Sequence, residues 1–308
     1  MKTGSQAITV DSGQPAAPTL VLPRVWSGSD FFELTKPRVT LMVVLTTLVG
    51  YLMGSGSPID WRAMLYALGG TALVAASAAA LNQFLERRWD AQMRRTENRP
   101  LASGRLHPLS ALAFALALLA AGLATLLVKV NLLTAGLALA TCLSYLLLYT
   151  PLKRLTPLCT AIGAVPGAIP PVMGWTAAGQ PLDAAAGALF AILFLWQFPH
   201  FLAIAWMYRE DYARAGFKML PVIDPLGRSM GRQVVLFNAV LIPVSIMTTW
   251  LGLTGMLFAA AALGLGLFYL VAGLRLARQP NAVSARRLLL ASVMYLPVLL
   301  VVMVLDKQ

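Results

Sequence analysis

The stretch Asn82-Gln-Phe-Leu-Glu86-Arg87-Arg88-Trp-Asp90-Ala-Gln-Met93-Arg94-Arg95-Thr96-Glu97-Asn98-Arg99-Pro100 continues an uncharged apolar run, Met64 to Leu85. From Glu86 it packs three acids and five arginines into fourteen residues. A run of this kind is long enough to cross about 30 Å of hydrocarbon as a helix, and the abrupt onset of charge marks where that helix leaves the lipid. On a helix Asn82, Glu86 and Asp90 recur at i, i+4 and i+8 with a drift of only ~40° per step, so a carboxamide and two carboxylates share one face. Such oxygens form a ligand set for a hard cation. The interleaved arginines suit phosphate or carboxylate through bidentate contacts. Two plainer readings compete: a solvated helix end with Glu86–Asp90–Arg94 pairs, or a basic run that fixes topology and meets anionic headgroups. Neither accounts for Asn82, a polar side chain placed within the apolar run.

Working outward, 58% of the 308 residues are hydrophobic and only 12% charged, with mean hydropathy +0.74. Soluble domains carry about a quarter charged residues, so the composition predicts an all-α polytopic membrane protein. The net charge of +12 sits in clusters between apolar spans, which is a topology signal and implies no nucleic-acid partner. Cys142 and Cys159 fall in apolar segments and read as small core residues. The N-terminus to Ser27 is rich in Gly, Ser, Pro and Thr and has no apolar region followed by a cleavage site. Residues 1–33 are expected to be a disordered cytoplasmic tail, with the membrane domain over 34–308.

Nine spans are expected, near 39–57, 63–85, 108–128, 132–150, 157–177, 184–208, 232–251, 254–276 and 287–305, around a cavity opening at the cytoplasmic side. The N-terminal segment and the connections after spans two, four, six and eight hold 21 basic residues. The opposite side holds Arg62, Lys129 and Lys307 alone. Basic excess faces the cytoplasm, which places the N-terminus inside and the C-terminus across the membrane. The two long connections, Glu86–Pro108 and Arg209–Arg232, both face inward and carry most of the acids. Long loops in compact proteins are commonly functional, so the two are read as halves of one site. Span five is interrupted by Gly163, Pro166, Gly167, Pro170, Pro171 and Gly174. Irregular backbone at membrane depth persists only against protein or a water-filled cavity, so this span is expected to line the cavity or to be a kinked structural helix.

The second polar cluster holds His200 within span six and Glu210 and Asp211 beyond it. A helix continuing past Pro199 would return His200 and Asp211 to the same face, ~16 Å apart. An ionisable residue inside a span is a functional candidate, although a lone interior histidine is more commonly just hydrogen-bonded.

These residues resemble a known family. Asn82-x3-Glu86-x3-Asp90 followed by Met93-x-Arg95-Thr96-x2-Arg99-Pro100-Leu101 is similar to the first acidic motif of the intramembrane aromatic prenyltransferases, the UbiA superfamily, and more narrowly of its protohaem IX farnesyltransferase branch. Three further stretches agree, in order. They are Tyr149-Thr150-Pro151-Leu152-Lys153-Arg154-x-Thr156-Pro157, then Gly163-x2-Pro166-Gly167-x2-Pro170-Pro171-x2-Gly174-Trp175, then Pro199-His200-Phe201 with Asp211-Tyr212-x2-Ala215-Gly216. The likeness runs from about Leu34 to the C-terminus. It departs from the wider superfamily in having Glu86 where many relatives have Asp, and in lacking a full Asp-x3-Asp in the second motif.

The resemblance implies transfer of a farnesyl group from farnesyl diphosphate to a vinyl group of protohaem IX at the cell inner membrane, with Mg²⁺ as cofactor. It implies metal ligation by Asn82, Glu86, Asp90 and Asp211, and phosphate contacts from Arg95, Arg99 and Lys153. The apolar cavity would shelter the farnesyl tail, with Tyr145, Tyr149, Trp196 and Phe198 offering π faces. Arg105 or Arg154 would meet the haem propionates, and His200, ahead of His107, would ligate iron or orient the porphyrin. Membrane lipid is the solvent, and other haem-modifying membrane enzymes are possible partners. The rivals are a prenyltransferase acting on a quinone precursor such as 4-hydroxybenzoate, a transporter, and a nonenzymatic haem carrier.

Overall fold

The computed structural model describes residues 27–308. Its elements are α1 (Gly28–Leu34), α2 (Pro37–Gly54), α3 (Trp61–Asp90), α4 (Pro108–Lys129), α5 (Leu132–Leu143), a π-helical turn (Ser144–Tyr149), α6 (Thr150–Leu152), α7 (Cys159–Ala168), α8 (Pro170–Ala177), α9 (Ala184–Met207), α10 (Arg209–Arg214), α11 (Leu220–Ile223), α12 (Arg228–Trp250), α13 (Met256–Arg278) and α14 (Ala282–Leu305). Among the described residues, eight helical segments are long and apolar enough to cross a membrane. The remaining expected span, 157–177, is the broken pair α7 and α8, so all nine expected spans are helical.

Local chemistry starts these helices. Asp60, Asn131, Asp183 and Asn281 each accept hydrogen bonds from backbone amides of the first turn of α3, α5, α9 and α14, satisfying donors a helix leaves free. Pro37 and Pro108 open α2 and α4, where a missing N–H costs nothing. At 30 residues, α3 is ~45 Å long against ~30 Å of hydrocarbon. Its last turns therefore carry Glu86 and Asp90 beyond the apolar layer.

Two cores hold the bundle. Tyr269, Tyr295, Phe258, Leu241 and Ile192 are fully buried among α9, α12, α13 and α14. Leu34, Ala80, Leu106, Ala115 and Leu126 join α1, α3, α4 and the loop between them. Leu116, Leu147, Leu267 and Val301 stay exposed on the outer surface, as lipid-facing positions require. Two glycines set the approach of α2 to α8. A Cβ at Gly50 would lie 1.9 Å from the Pro171 carbonyl oxygen, and one at Gly174 would lie 1.9 Å from that of Thr47. Every residue of α8 is buried, so this half of the broken span is walled in by protein, whereas α7 leaves Val165 and Gly167 exposed. Residues of α7 and α8 line neither the cavity at the mouth nor the apolar groove between α2 and α14.

The two ends of the bundle are chemically distinct. At one, Lys153 pairs with Glu86, Arg95 meets Tyr212, and Arg105 meets Asp30 and Glu33. This brings together the N-terminal segment and the connections after spans two, four and six. At the other end, Lys307 donates to the carbonyls of Leu52 and Ser55, and Gln180 to that of Gly54. The start of the described chain and its C-terminus thus lie at opposite ends.

The structure differs from expectation in two places. Residues 1–26 of the expected tail lie outside the described residues, but 28–34 form α1 and dock through Asp30, Glu33 and Leu34. The helix that carries His200 runs through Pro199 but stops at Met207, with Tyr208 at φ −111°, ψ 21°. His200 and Asp211 therefore do not share one helical face.

Candidate active site

The face Asn82, Glu86, Asp90 is turned inward: their exposures are 1%, 4% and 2%. Burial excludes the solvated helix end, and the partners come from distant segments. Lys153 Nζ donates to both Glu86 carboxylate oxygens at 2.9 and 3.1 Å. Arg99 Nη1 donates to both Asp90 oxygens at 2.8 Å. Thr96 Oγ1 donates to the Asp90 carbonyl at 2.8 Å, folding the chain back so that Arg99 meets the end of α3. Asn82 spends its amide on Thr150 Oγ1 at 3.2 Å and accepts Lys36 Nζ at 3.0 Å.

Lys36 is the functional residue that sequence reasoning misses, because in the sequence it is only one of the 21 basic residues expected on the cytoplasmic side. Its backbone is left-handed, φ 46°, ψ 63°, a conformation that costs a non-glycine residue about 1–3 kcal/mol, and its side chain reaches Asn82 of α3. Burial first, then the nearby positive charges of Arg99 and Lys153, lower its ammonium to about 7. Burial is the largest influence on the Lys153 ammonium and lowers it, but Glu86, Tyr145 and Tyr212 together turn the net direction upward. Lys36, Lys153 and Arg99 thus face only two carboxylates, and Lys36 has no carboxylate partner among the described residues. With its ammonium lowered to about 7, Lys36 is only partly charged near neutral pH, and an anion placed among these three half-buried basic groups would restore its proton.

Around this core, Lys153 lies 4.4 Å above the Tyr149 ring, which stacks on Tyr145 at 5.4 Å. Both tyrosines belong to the π-helical turn, a distortion that recurs at functional sites. A cavity of about 520 Å³ opens beside Glu86, lined by Trp89, Leu146, Thr150, Arg154 and Phe217. Arg154 is exposed and stacks on Trp89 at 4.6 Å. Arg95 spans the two loops, 5.1 Å above Tyr208 and 3.2 Å from the Tyr212 hydroxyl.

Other expected residues stand apart. Asp211 pairs with Arg214 on its own short helix. Among the described residues no three histidine, cysteine or acidic side chains are grouped closely enough to hold a metal ion. Arg105 is engaged by Asp30, by Glu33 at 2.6 Å and by the Asn98 carbonyl at 2.7 Å, so it clamps α1 to the loop after α3. His107 only begins α4. His200 is half-buried and belongs to a separate polar group, stacked on Trp196 at 4.7 Å with Nδ1 2.7 Å from Ser292 Oγ of α14. Phe198 stacks on Phe237 at 3.7 Å.

The model of the UbiA prenyltransferase family matches residues 43–296. A protoheme IX farnesyltransferase of Solibacter usitatus is 49% identical over 90% of this chain and 98% of its own. One from Koribacter versatilis is 46% identical over 94% and 97%. The solved structure of a UbiA homolog from Archaeoglobus fulgidus bound to GPP and Mg2+ is 18% identical, covers 89% of this chain and 99% of that one, and superposes with a TM-score of 0.67.

Proposed function

The chain belongs to the UbiA prenyltransferase family, and from that premise we propose how its residues carry a farnesyl group from farnesyl diphosphate to a vinyl group of protohaem IX. It is a multi-pass membrane enzyme and this transfer is its reaction. The bond between farnesyl C1 and the diphosphate oxygen breaks, the vinyl carbon bonds to C1, and water supplies the hydroxyl and gives up a proton.

The observation that carries the site assignment is the half-buried group of three basic side chains, Lys36, Lys153 and Arg99, gathered around two buried carboxylates of α3. Lys36, Lys153 and Arg99 receive the diphosphate oxygens, and Arg95 holds the outer phosphate from the Tyr208–Tyr212 side. Anion binding relieves the repulsion among the three inner cations and frees Glu86 and Asp90 from their ion pairs. Asn82, Glu86 and Asp90 would hold a divalent metal, Mg²⁺ by the hardness of these oxygens, since such an ion needs only one or two carboxylates beside phosphate. The donor set fits: two buried carboxylates and an amide on one face. Asp211 joins once it leaves Arg214. When bound, the metal stabilises the charge that develops on the departing diphosphate.

Tyr145 and Tyr149 present π faces to the allylic cation, and the walls of the apolar interior keep water from it until the vinyl group has reacted. Arg154, exposed at the cavity rim, meets a haem propionate. His200 ligates the haem iron through Nε2, the ring nitrogen that makes no hydrogen bond among the described residues. The site opens to the cytoplasm across the cell inner membrane, in keeping with the 21 basic residues on that side.

The test is mass spectrometry of haem extracted after incubating the purified protein with farnesyl diphosphate and protohaem. A farnesylated, hydroxylated haem is expected, and chelation of divalent metal should abolish it. Product formed equally well under chelation would refute the metal assignment, and prenylated 4-hydroxybenzoate in place of haem would refute the acceptor.

A further inference from the structure

The hydroxyl of Ser292 has one proton to donate and three polar neighbours, the Leu289 carbonyl, the His200 imidazole and the Tyr269 hydroxyl. Its Oγ stands 2.6 Å from the Leu289 carbonyl oxygen and 2.7 Å from Nδ1 of His200. A carbonyl oxygen only accepts, so an oxygen–oxygen contact this short is a hydrogen bond with Ser292 as donor. Toward His200 the same oxygen is then an acceptor, and Nδ1 must carry the ring proton. A neutral imidazole protonated at Nδ1 presents a bare lone pair at Nε2. Nε2 has no hydrogen-bond partner among the described residues.

The ring plane is held as well as the tautomer. Trp196 stacks on the imidazole with 25° between planes, and its indole N–H donates to the backbone carbonyl of Ser292 at 2.9 Å. The Trp196 carbonyl in turn accepts the Tyr269 hydroxyl at 3.3 Å. One residue of α14 therefore fixes two stacked rings of α9.

Resting on the reading of His200 as iron ligand, we propose that Ser292 is a positioning residue that locks His200 as the Nδ1–H tautomer and aims Nε2 at the iron of the substrate. A histidine that binds metal through one nitrogen almost always donates its other N–H to an oxygen acceptor that sets its orientation. Inside a membrane span a hydroxyl already committed to a backbone carbonyl does this without burying a carboxylate, which would be costly there.

The experiment is a titration of the full-length protein in lipid nanodiscs with ferric protohaem, followed by the Soret band and by electron paramagnetic resonance. Ser292→Ala is expected to weaken haem binding roughly 10–100-fold and to alter the spectrum, while farnesyl diphosphate affinity stays at the wild-type value and reports an intact fold. Ser292→Thr, which keeps the hydroxyl, should restore both haem readouts. Wild-type haem affinity and spectrum in Ser292→Ala would overturn the inference, even if that variant unfolded at a lower temperature. His200→Ala separates the premise. Loss of the ligation signal there but not in Ser292→Ala sinks the serine alone; no loss in His200→Ala sinks the ligation reading and the serine with it.

Discussion

At the scale of single residues, Asp90 and Lys36 bring opposite charges into one desolvated volume, and their removal should fail in different ways. Asp90→Asn keeps the shape of the side chain and removes the charge that would hold metal. Turnover should fall by about 10²–10³-fold, while the protein still inserts and purifies as wild type. Wild-type transfer by this variant would end the metal-site assignment. Lys36→Gln removes the cation without a carboxylate partner. A hydrogen bond to a charged group is worth about 1.5–3 kcal/mol, so farnesyl diphosphate affinity, measured by calorimetry, should drop roughly 10–100-fold with haem affinity unchanged. The face of α3 was legible from its i, i+4, i+8 spacing alone. Lys36 was not, because a lysine before Pro37 reads the same whether it points to solvent or is turned inward by a left-handed backbone. Asp211 was equally ambiguous: sequence gives its charge, but only geometry shows it turned to Arg214.

At the scale of elements, the broken span was visible in its prolines and glycines, yet its neighbour was not. Gly174 lies against the backbone of α2, with no room for a Cβ. Gly174→Val should destabilise the protein by about 1–3 kcal/mol or more through overpacking, seen as a lower unfolding midpoint in detergent. An unchanged midpoint would mean that α2 and α8 can separate freely. The helix α1 escaped notice for a related reason. Asp30 and Glu33 sit in a polar segment, and the residue that neutralises them, Arg105, lies 75 and 72 residues away. Arg105→Gln should release α1, with faster amide exchange over residues 28–34 and little change in exchange across α9 and α14.

For the whole molecule, the decisive property is sidedness. Arg94→Cys and Glu210→Cys should react with a membrane-impermeant maleimide from the same face of the membrane, and Lys129→Cys from the other. The two native cysteines are buried and should stay silent. Labelling of positions 94 and 210 from opposite faces would separate the two loops and leave no common site. The contacts between Arg95 and Tyr212, and between the Lys218 amide and the Lys153 carbonyl at 2.8 Å, predict the first outcome.

Apolar length and the clustering of charge were enough to determine a helical membrane protein, its eight long apolar helices, the gathering of its charged loops at one end and the acidic face of α3, because each follows from local periodicity and transfer free energy. Which cation meets which carboxylate was decided by the tertiary structure alone. Glu86 and Lys153, Asp90 and Arg99, Asn82 and Lys36, and His200 and Ser292 are pairings between segments whose separation only packing closes, and short-range spacing carries no information about a partner that arrives from another helix.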